Sequence, residues 1–317
     1  MLKRTRALGV VMTLGLCATS ALAEVDANLP KYERVPGISG TLISVGSPTL
    51  NNLMTLWAEE FAGFYPDANV QIQGTSTATA APALIEGTSN FGPMSRPMDD
   101  AEQRAFEDRY GYPPALVPVA IDMIAVYVNQ DNPIEGLTVQ QVDAIFSATR
   151  VCGGPSDIRT WGDVGLTGGW ANRDIAVYGR TAVSGTYGFF RENALCGGDF
   201  KDTVNEHRGV AAVVDGVAQT LGGIGYSRIG YRTSGLRAVP LNGFEATGDN
   251  AATGDYPLTR FLYVAANQRP NDGWNPLERE FLRLVLSAEG QGVVNRDGYV
   301  TLSAAGAERF RRQFNLD

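Results

Sequence analysis

Strand-like and helix-like runs alternate almost from end to end of this chain, and that alternation restricts its fold more than any other feature. GTLISVG (40–46) is a short β-like run. Behind it Leu50, Leu53, Met54, Trp57 and Phe61 recur at helical spacing, in a helix that should stop before Pro66. NVQIQG (69–74) is a second strand, leading through TSTATAAP into ALIEG. SNFGPMSRP reads as strand then turn, and MDDAEQRAFEDRYG as a polar helix with acids in its first turn. ALVPVAIDMIAVYVN (115–129) is the longest strand-like run, apolar enough to be buried on both faces. TVQQVDAIFSA is helical, DIAVYG a strand, and VVDGVAQTLGGIGYSRIGY a helix, a glycine turn and a short strand. RFLYVAAN reads as a further strand, and NPLEREFLRLVLSAEGQGVV and SAAGAERFRRQF close the chain as helices. The pattern is α/β, without internal repeats or low-complexity segments.

The 317 residues are 44% hydrophobic and 19% charged. That suffices for one large or two medium domains, with too few charges for a disordered protein. The first residues read as an export signal: a basic start, MLKRTR, an apolar run, ALGVVMTLGLCATSALA, and a small-x-small cleavage site before Glu24. Residues 1–23 are therefore expected to be removed and the product to be soluble and periplasmic. A lipoprotein signal at Cys17 is the weaker reading, because Leu16 before it has the wrong size for that processing. No later apolar stretch reaches membrane-spanning length. Losing the signal, with Lys3, Arg4, Arg6 and no acid, takes the net charge from -8 to -11. An acidic body argues against nucleic acid or an anionic membrane as the main partner, and a bound anion would need a local site.

Export also bears on the cysteines. Cys152 and Cys196 are the only pair left in the mature chain, and in an oxidising compartment they are expected to form one disulfide. A two-thiolate metal site is the rival reading. The single histidine, His207, gives it little support, since VNEHRGVAA is a polar context in which it reads as an ordinary exposed side chain. No metal and no cofactor is expected.

Three turns put hydroxyl residues where a helix begins: GSPTL with Ser47 and Thr49, GTSTATA with Ser76, Thr77 and Thr79, and VSGTY with Ser184 and Thr186. A helix N-terminus offers unpaired N–H groups and a partial positive charge, so several such ends aimed inward make a cage for an oxyanion. PMSRPM adds Ser95, with Arg96 nearby, and Arg180 is well placed for bidentate contact to a tetrahedral oxyanion. Taken singly, each turn is as readily a plain N-cap, and Arg180 half of a structural ion pair.

Order and spacing give these turns a joint meaning. Over residues 38 to 310 the chain resembles the periplasmic phosphate-binding proteins of ABC transporters. GRTAVSGTYGFF is similar to the family's Arg-x-x-x-Ser-Gly-Thr loop. VQIQGTSTATAAPALIEGTSNFGPMSRPM resembles its strand, anion loop, helix and second strand, and GSPTLNNLMTLWAEEF its opening loop and helix. GGIGYSRIGY and LSAEGQGVVNRDGYVTL resemble family segments outside the site.

The resemblance implies a two-lobed periplasmic binding protein fold of type II, each lobe a mixed sheet flanked by helices. One lobe would comprise 38–118 and 240–317 and the other 122–236, with VPVAIDMIAVYV and LRAVPL as the two crossover segments. It implies that phosphate is bound by Thr49 (hydroxyl and N–H), the Leu50 N–H, Thr77, Ser95, Arg180, the Ser184 hydroxyl, the Gly185 N–H and Thr186. It further implies a monomer that delivers phosphate to an ABC permease.

Two positions depart from the family pattern. Ser95 stands where better-known members carry an aspartate that accepts the proton on phosphate, and Ala182 where an acid often steadies the arginine. A carboxylate acceptor rejects sulfate, which has no proton to give, so discrimination should be weaker here. Serine can still accept through its lone pairs. Asp122, in the long strand, is a candidate replacement acceptor, with a structural role the stronger reading. The alternatives are a carrier of sulfate or another oxyanion, or a secreted phosphate scavenger without a transporter. A hydrolase finds little support: no G-x-S-x-G elbow occurs, and the one histidine is poorly placed for a triad.

Overall fold

The computed structural model describes residues 25–154, 156–182, 184–231, 233–270 and 273–317; the export signal expected over 1–23, with Cys17, lies outside them. The strands are β1 (Gly40–Gly46), β2 (Ala68–Gly74), β3 (Phe91–Met94), β4 (Ala115–Asn129), β5 (Ala176–Arg180), β6 (Asn205–His207), β7 (Gly223–Arg228), β8 (Leu236–Ala238) and β9 (Thr259–Ala266). They form one mixed sheet in the order β2-β1-β3-β9-β4-β7-β5-β6, with β8 also paired to β4.

β4 organises this sheet because it is long and buried along nearly its whole length. Its residues Ala115–Met123 pair antiparallel with β9. From Ile124 onward its partners are β7 and β8 instead. One strand thus carries two sheet halves, with β1, β2, β3 and β9 on one side and β5, β6, β7 and β8 on the other. A bulge between Pro118 and Ala120 interrupts the first half, where proline has no N–H to give the ladder. The expected crossover LRAVPL contributes β8, which pairs with Tyr127–Asn129 at the far end of β4. The chain beyond it stays on that half: the Leu137 N–H donates to Pro240 O (2.9 Å) and the Ile124 N–H to Leu258 O (3.0 Å). β9 then begins at Thr259, opposite Met123.

Ten helices flank the sheet among the described residues: α1 (Asn51–Phe64), α2 (Ala80–Ile85), α3 (Asp100–Tyr110), α4 (Val139–Phe146), α5 (Gly185–Ala194), α6 (Val210–Gln219), α7 (Gly248–Thr253), α8 (Pro276–Val285), α9 (Ala288–Arg296) and α10 (Ala304–Gln313). The run read as one helix from Asn275 breaks into α8 and α9 at Leu286–Ser287, because the Ser287 hydroxyl caps the second by accepting from the Gly290 N–H. Phe61 of α1 meets Phe281 of α8, which also meets Phe91 of β3, both at 5.3 Å between ring centroids. In the other half Phe190 of α5 stacks on Tyr226 of β7 at 3.8 Å. That half also holds the expected disulfide, Cys152–Cys196, with a Cα separation of 5.2 Å.

His207 differs from the sequence reading. It lies in β6, opposite Arg180 of β5, half-buried, with its ring stacked on Tyr178. A three-residue edge strand exposing Asn205 and Glu206 carries too little apolar pattern to be read as a strand.

Candidate anion site

At the end of β1 the backbone turns sharply past β3. A β-carbon on Gly46 would lie 2.2 Å from Pro93 O, so only glycine fits there. Ser47 then caps the following turn. Its hydroxyl accepts from the Thr49 N–H (3.3 Å) and its carbonyl from the Leu50 N–H (3.2 Å). The two amides expected to face the anion are therefore bonded within their own turn, and Leu50 is fully buried. The Thr49 hydroxyl is left pointing across toward α5: a β-carbon on Gly185 would lie 2.9 Å from its Oγ1.

The opposing turn runs from β5 into α5. Ser184 is the N-cap, its hydroxyl accepting from the Thr186 N–H at 3.2 Å while its own proton stays available. The first N–H groups of α5 have no acceptor within the helix. Arg180, at the end of β5, has Nη2 donating to Arg208 O (2.8 Å), and its buried Nε meets no hydrogen-bond partner. No carboxylate among the described residues pairs with it, consistent with Ala182 in place of an acid. Burial pulls the Arg180 guanidinium's pKa below its ordinary value, and repulsion from Arg228 adds to this, while Tyr226 and Tyr231 act the other way.

Thr49, Arg180, Ser184, Gly185 and Thr186 line one cavity of about 360 Å3, together with Pro48, Val210, Arg228 and Tyr231. Thr77 and Ser95 lie elsewhere. Their hydroxyls are 3.0 Å apart, and they line an adjoining cavity of about 450 Å3 with Phe189, Arg260, Phe261 and Tyr263. The two cavities follow α5: Gly185 and Thr186 face the first, Gly188 and Phe189 the second, one turn along. Arg96 is held by Glu102 in a bidentate pair at 2.6 and 2.8 Å. Asp122 is not an acceptor lining either cavity. It is 1% exposed, with Oδ2 taking two bonds from Arg260 (3.1 and 2.9 Å) and Oδ1 lying 3.6 Å from Arg228 Nε.

Sequence reasoning missed three contributors. Arg228 and Tyr231, from the GGIGYSRIGY segment read as outside the site, line the anion cavity. Tyr299, from NRDGYVTL, donates its hydroxyl to Thr49 O at 2.6 Å and so holds the opening loop from behind. Arg228 closes this chain of contacts, with its guanidinium 4.5 Å over the Tyr299 ring. The available signal was positional: Arg228 ends a strand beside Arg180's strand, where parallel α/β sheets gather their ligands.

Two sheet halves sharing one long strand, with capped turns from both meeting at one cavity, define a two-lobed solute-binding protein. The family profile described as "PBP superfamily domain" matches residues 33–289. The chain is 54% identical over 321 residues to the phosphate-binding protein PstS of Pseudomonas aeruginosa, covering 99% of each. Among solved structures, a possible phosphate binding protein from Planctomyces limnophilus aligns with a TM-score of 0.72 at 25% identity, over 88% of this chain and 99% of that one. An ABC-type phosphate transport receptor from Vibrio cholerae shares the fold, with a TM-score of 0.69 at 22% identity, over 83% of this chain and all of the other. The chain belongs to the PBP superfamily and, within it, to the PstS family of phosphate-binding proteins.

Proposed function

We propose that this protein captures inorganic phosphate between its two lobes and delivers it to an ABC permease in the envelope. The observation that carries the reading is the meeting of Thr49 from one half with Arg180, Ser184, Gly185 and Thr186 from the other around one small cavity. Donors from both sides give an anion a reason to hold the halves together, and in a water-poor site charge-assisted bonds exceed their exposed worth. The names of the P. aeruginosa and V. cholerae proteins point the same way. We place one lobe at 38–123 with 259–317 and the other at 124–258, following the change of strand partners at Met123/Ile124 and the start of β9. On this reading Thr77 and Ser95 complete the cage from the β1 side, and the mature chain works as a periplasmic monomer. On this reading the ligand is returned unchanged; the sole histidine, His207, stacks on Tyr178 and is not among the residues lining the cavity.

Calorimetric titration with phosphate tests this. Saturable one-to-one binding is expected, with Arg180→Ala weakening it at least about tenfold, on the order of 1.4 kcal/mol. No heat of binding, or unchanged affinity in the variant, contradicts it.

A further inference from the structure

Arg180 is not the only cation lining the anion cavity. Arg228 lines it too, and among the described residues no acidic one does. Arg228 ends β7 with its side chain 19% exposed; the nearer of its two carboxylate neighbours, Asp122, lies at 3.6 Å, beyond hydrogen-bond reach, and Asp297 also favours its charge. Asp122 gives its other oxygen to Arg260 of β9. One carboxylate is therefore shared by two guanidinium groups, while Arg180 pairs with none among the described residues.

The charged and titratable groups around this centre come from every packed element. Among the described residues they include Asp122 on β4, Arg180 on β5, Glu206 and His207 beside it on β6, Arg208 just after them, Tyr226 and Arg228 on β7, Tyr231 just after it, Arg260 on β9, and Asp297 and Tyr299 after α9. Asp297 takes a bond from Asn52 Nδ2 on Oδ1 at 2.6 Å, while its buried Oδ2 has no hydrogen-bond partner. Arg228 is close enough to Arg180 to disfavour the charge on Arg180.

We propose that Arg228 is a second anion-binding guanidinium and that, through it, the cavity selects divalent oxyanions over monovalent ones. The inference rests on the phosphate reading above and specifies the form bound. Guanidinium groups donate and never accept, so two of them reward oxygens that carry charge rather than protons. Any proton on the ligand must instead find a hydroxyl, and among the described residues Thr49, Ser184, Thr186 and Tyr231 supply those that line this cavity. HPO₄²⁻ and SO₄²⁻ both satisfy the two arginines, whereas H₂PO₄⁻ brings one charge fewer and one more proton to place.

The test titrates the full mature chain with phosphate and with sulfate at about pH 8 and about pH 5.5, a window in which histidine is the side chain that ordinarily changes charge. Sulfate stays divalent throughout, so it reports any effect of His207 or Asp297 on the protein itself. The wild type is expected to lose phosphate affinity toward acid at least about tenfold more than sulfate affinity, and Arg228→Gln to lose most of that difference together with at least about tenfold in affinity for both anions. Arg228→Lys, which keeps the charge without the planar fork, should retain the pH profile at reduced affinity. A wild type that binds phosphate equally well at both pH values overturns the selection. An Arg228→Gln protein with wild-type affinities and profile overturns the role of Arg228 while leaving the phosphate reading intact. Failure of the wild type to bind phosphate at either pH removes both.

Discussion

Thr49 and Gly185 meet across the two halves of this protein so closely that a β-carbon on Gly185 would lie 2.9 Å from the Thr49 hydroxyl. One residue follows β1 and the other opens α5, so their contact places the two helix-capping turns face to face. Tyr299 fixes the first turn through the Thr49 carbonyl, and Ser184 fixes the second as its N-cap.

Gly185→Val should therefore hold the halves apart without harming either. The side chain would meet a hydroxyl from the opposite half, and its own backbone needs no left-handed conformation. Phosphate affinity is expected to fall at least about tenfold, with the melting temperature close to wild type. Wild-type affinity in calorimetry would contradict the facing arrangement.

The disulfide makes a separable prediction. Cys152 and Cys196 both lie in the β5–β8 half, 44 residues apart, and neither lines the anion cavity. Loop-closure entropy for that span is worth roughly 4 kcal/mol. Replacing both by serine should lower stability in urea by an amount of that order while leaving phosphate affinity unchanged. Equal stability would show that the bridge does not constrain the unfolded chain.

The proposed part of Ser95 in selectivity can be tested separately; its hydroxyl sits 3.0 Å from that of Thr77. Ser95→Asp supplies a carboxylate that can accept a proton from phosphate but only repels sulfate. The ratio of phosphate to sulfate affinity is expected to rise at least about tenfold. An unchanged ratio in competition titrations would mean that this residue does not reach the bound anion.

Glu278 on α8 gives a pH dependence remote from the site. Burial pushes its carboxyl up from the ordinary value, with the Asn90 side-chain amide, donating at 2.8 Å, pulling the other way. The folded state therefore holds a proton more tightly than the unfolded state, so this group's contribution to stability falls as pH rises from the unfolded value through the raised folded one. Glu278→Gln keeps an acceptor for Asn90 and should stabilise the protein near neutral pH, with the gain shrinking toward acid. Identical urea midpoints at both pH values would contradict it.

Much of this was legible in the sequence, and the gaps have physical causes. β4 could be bounded at 115–129 because burial on both faces leaves an unbroken apolar run. The capped turns at Ser47, Ser76 and Ser184 were legible because N-caps draw on few residue types. β6 was not, being three polar residues on an edge. Arg228 was hidden because nothing local distinguishes it. Its importance comes from Asp122, Tyr299 and Arg180, which are distant in sequence and adjacent only in the fold. The same holds for Arg96, whose pairing with Glu102 depends on the capping box that starts α3.

The most direct test of the central claim is a crystal structure of the mature protein grown with phosphate. The anion should lie between the halves, within hydrogen-bond reach of the Thr49 hydroxyl on one side and of Arg180 and the Ser184–Thr186 turn on the other. Phosphate bound to one half alone, or away from this cavity, would contradict the account.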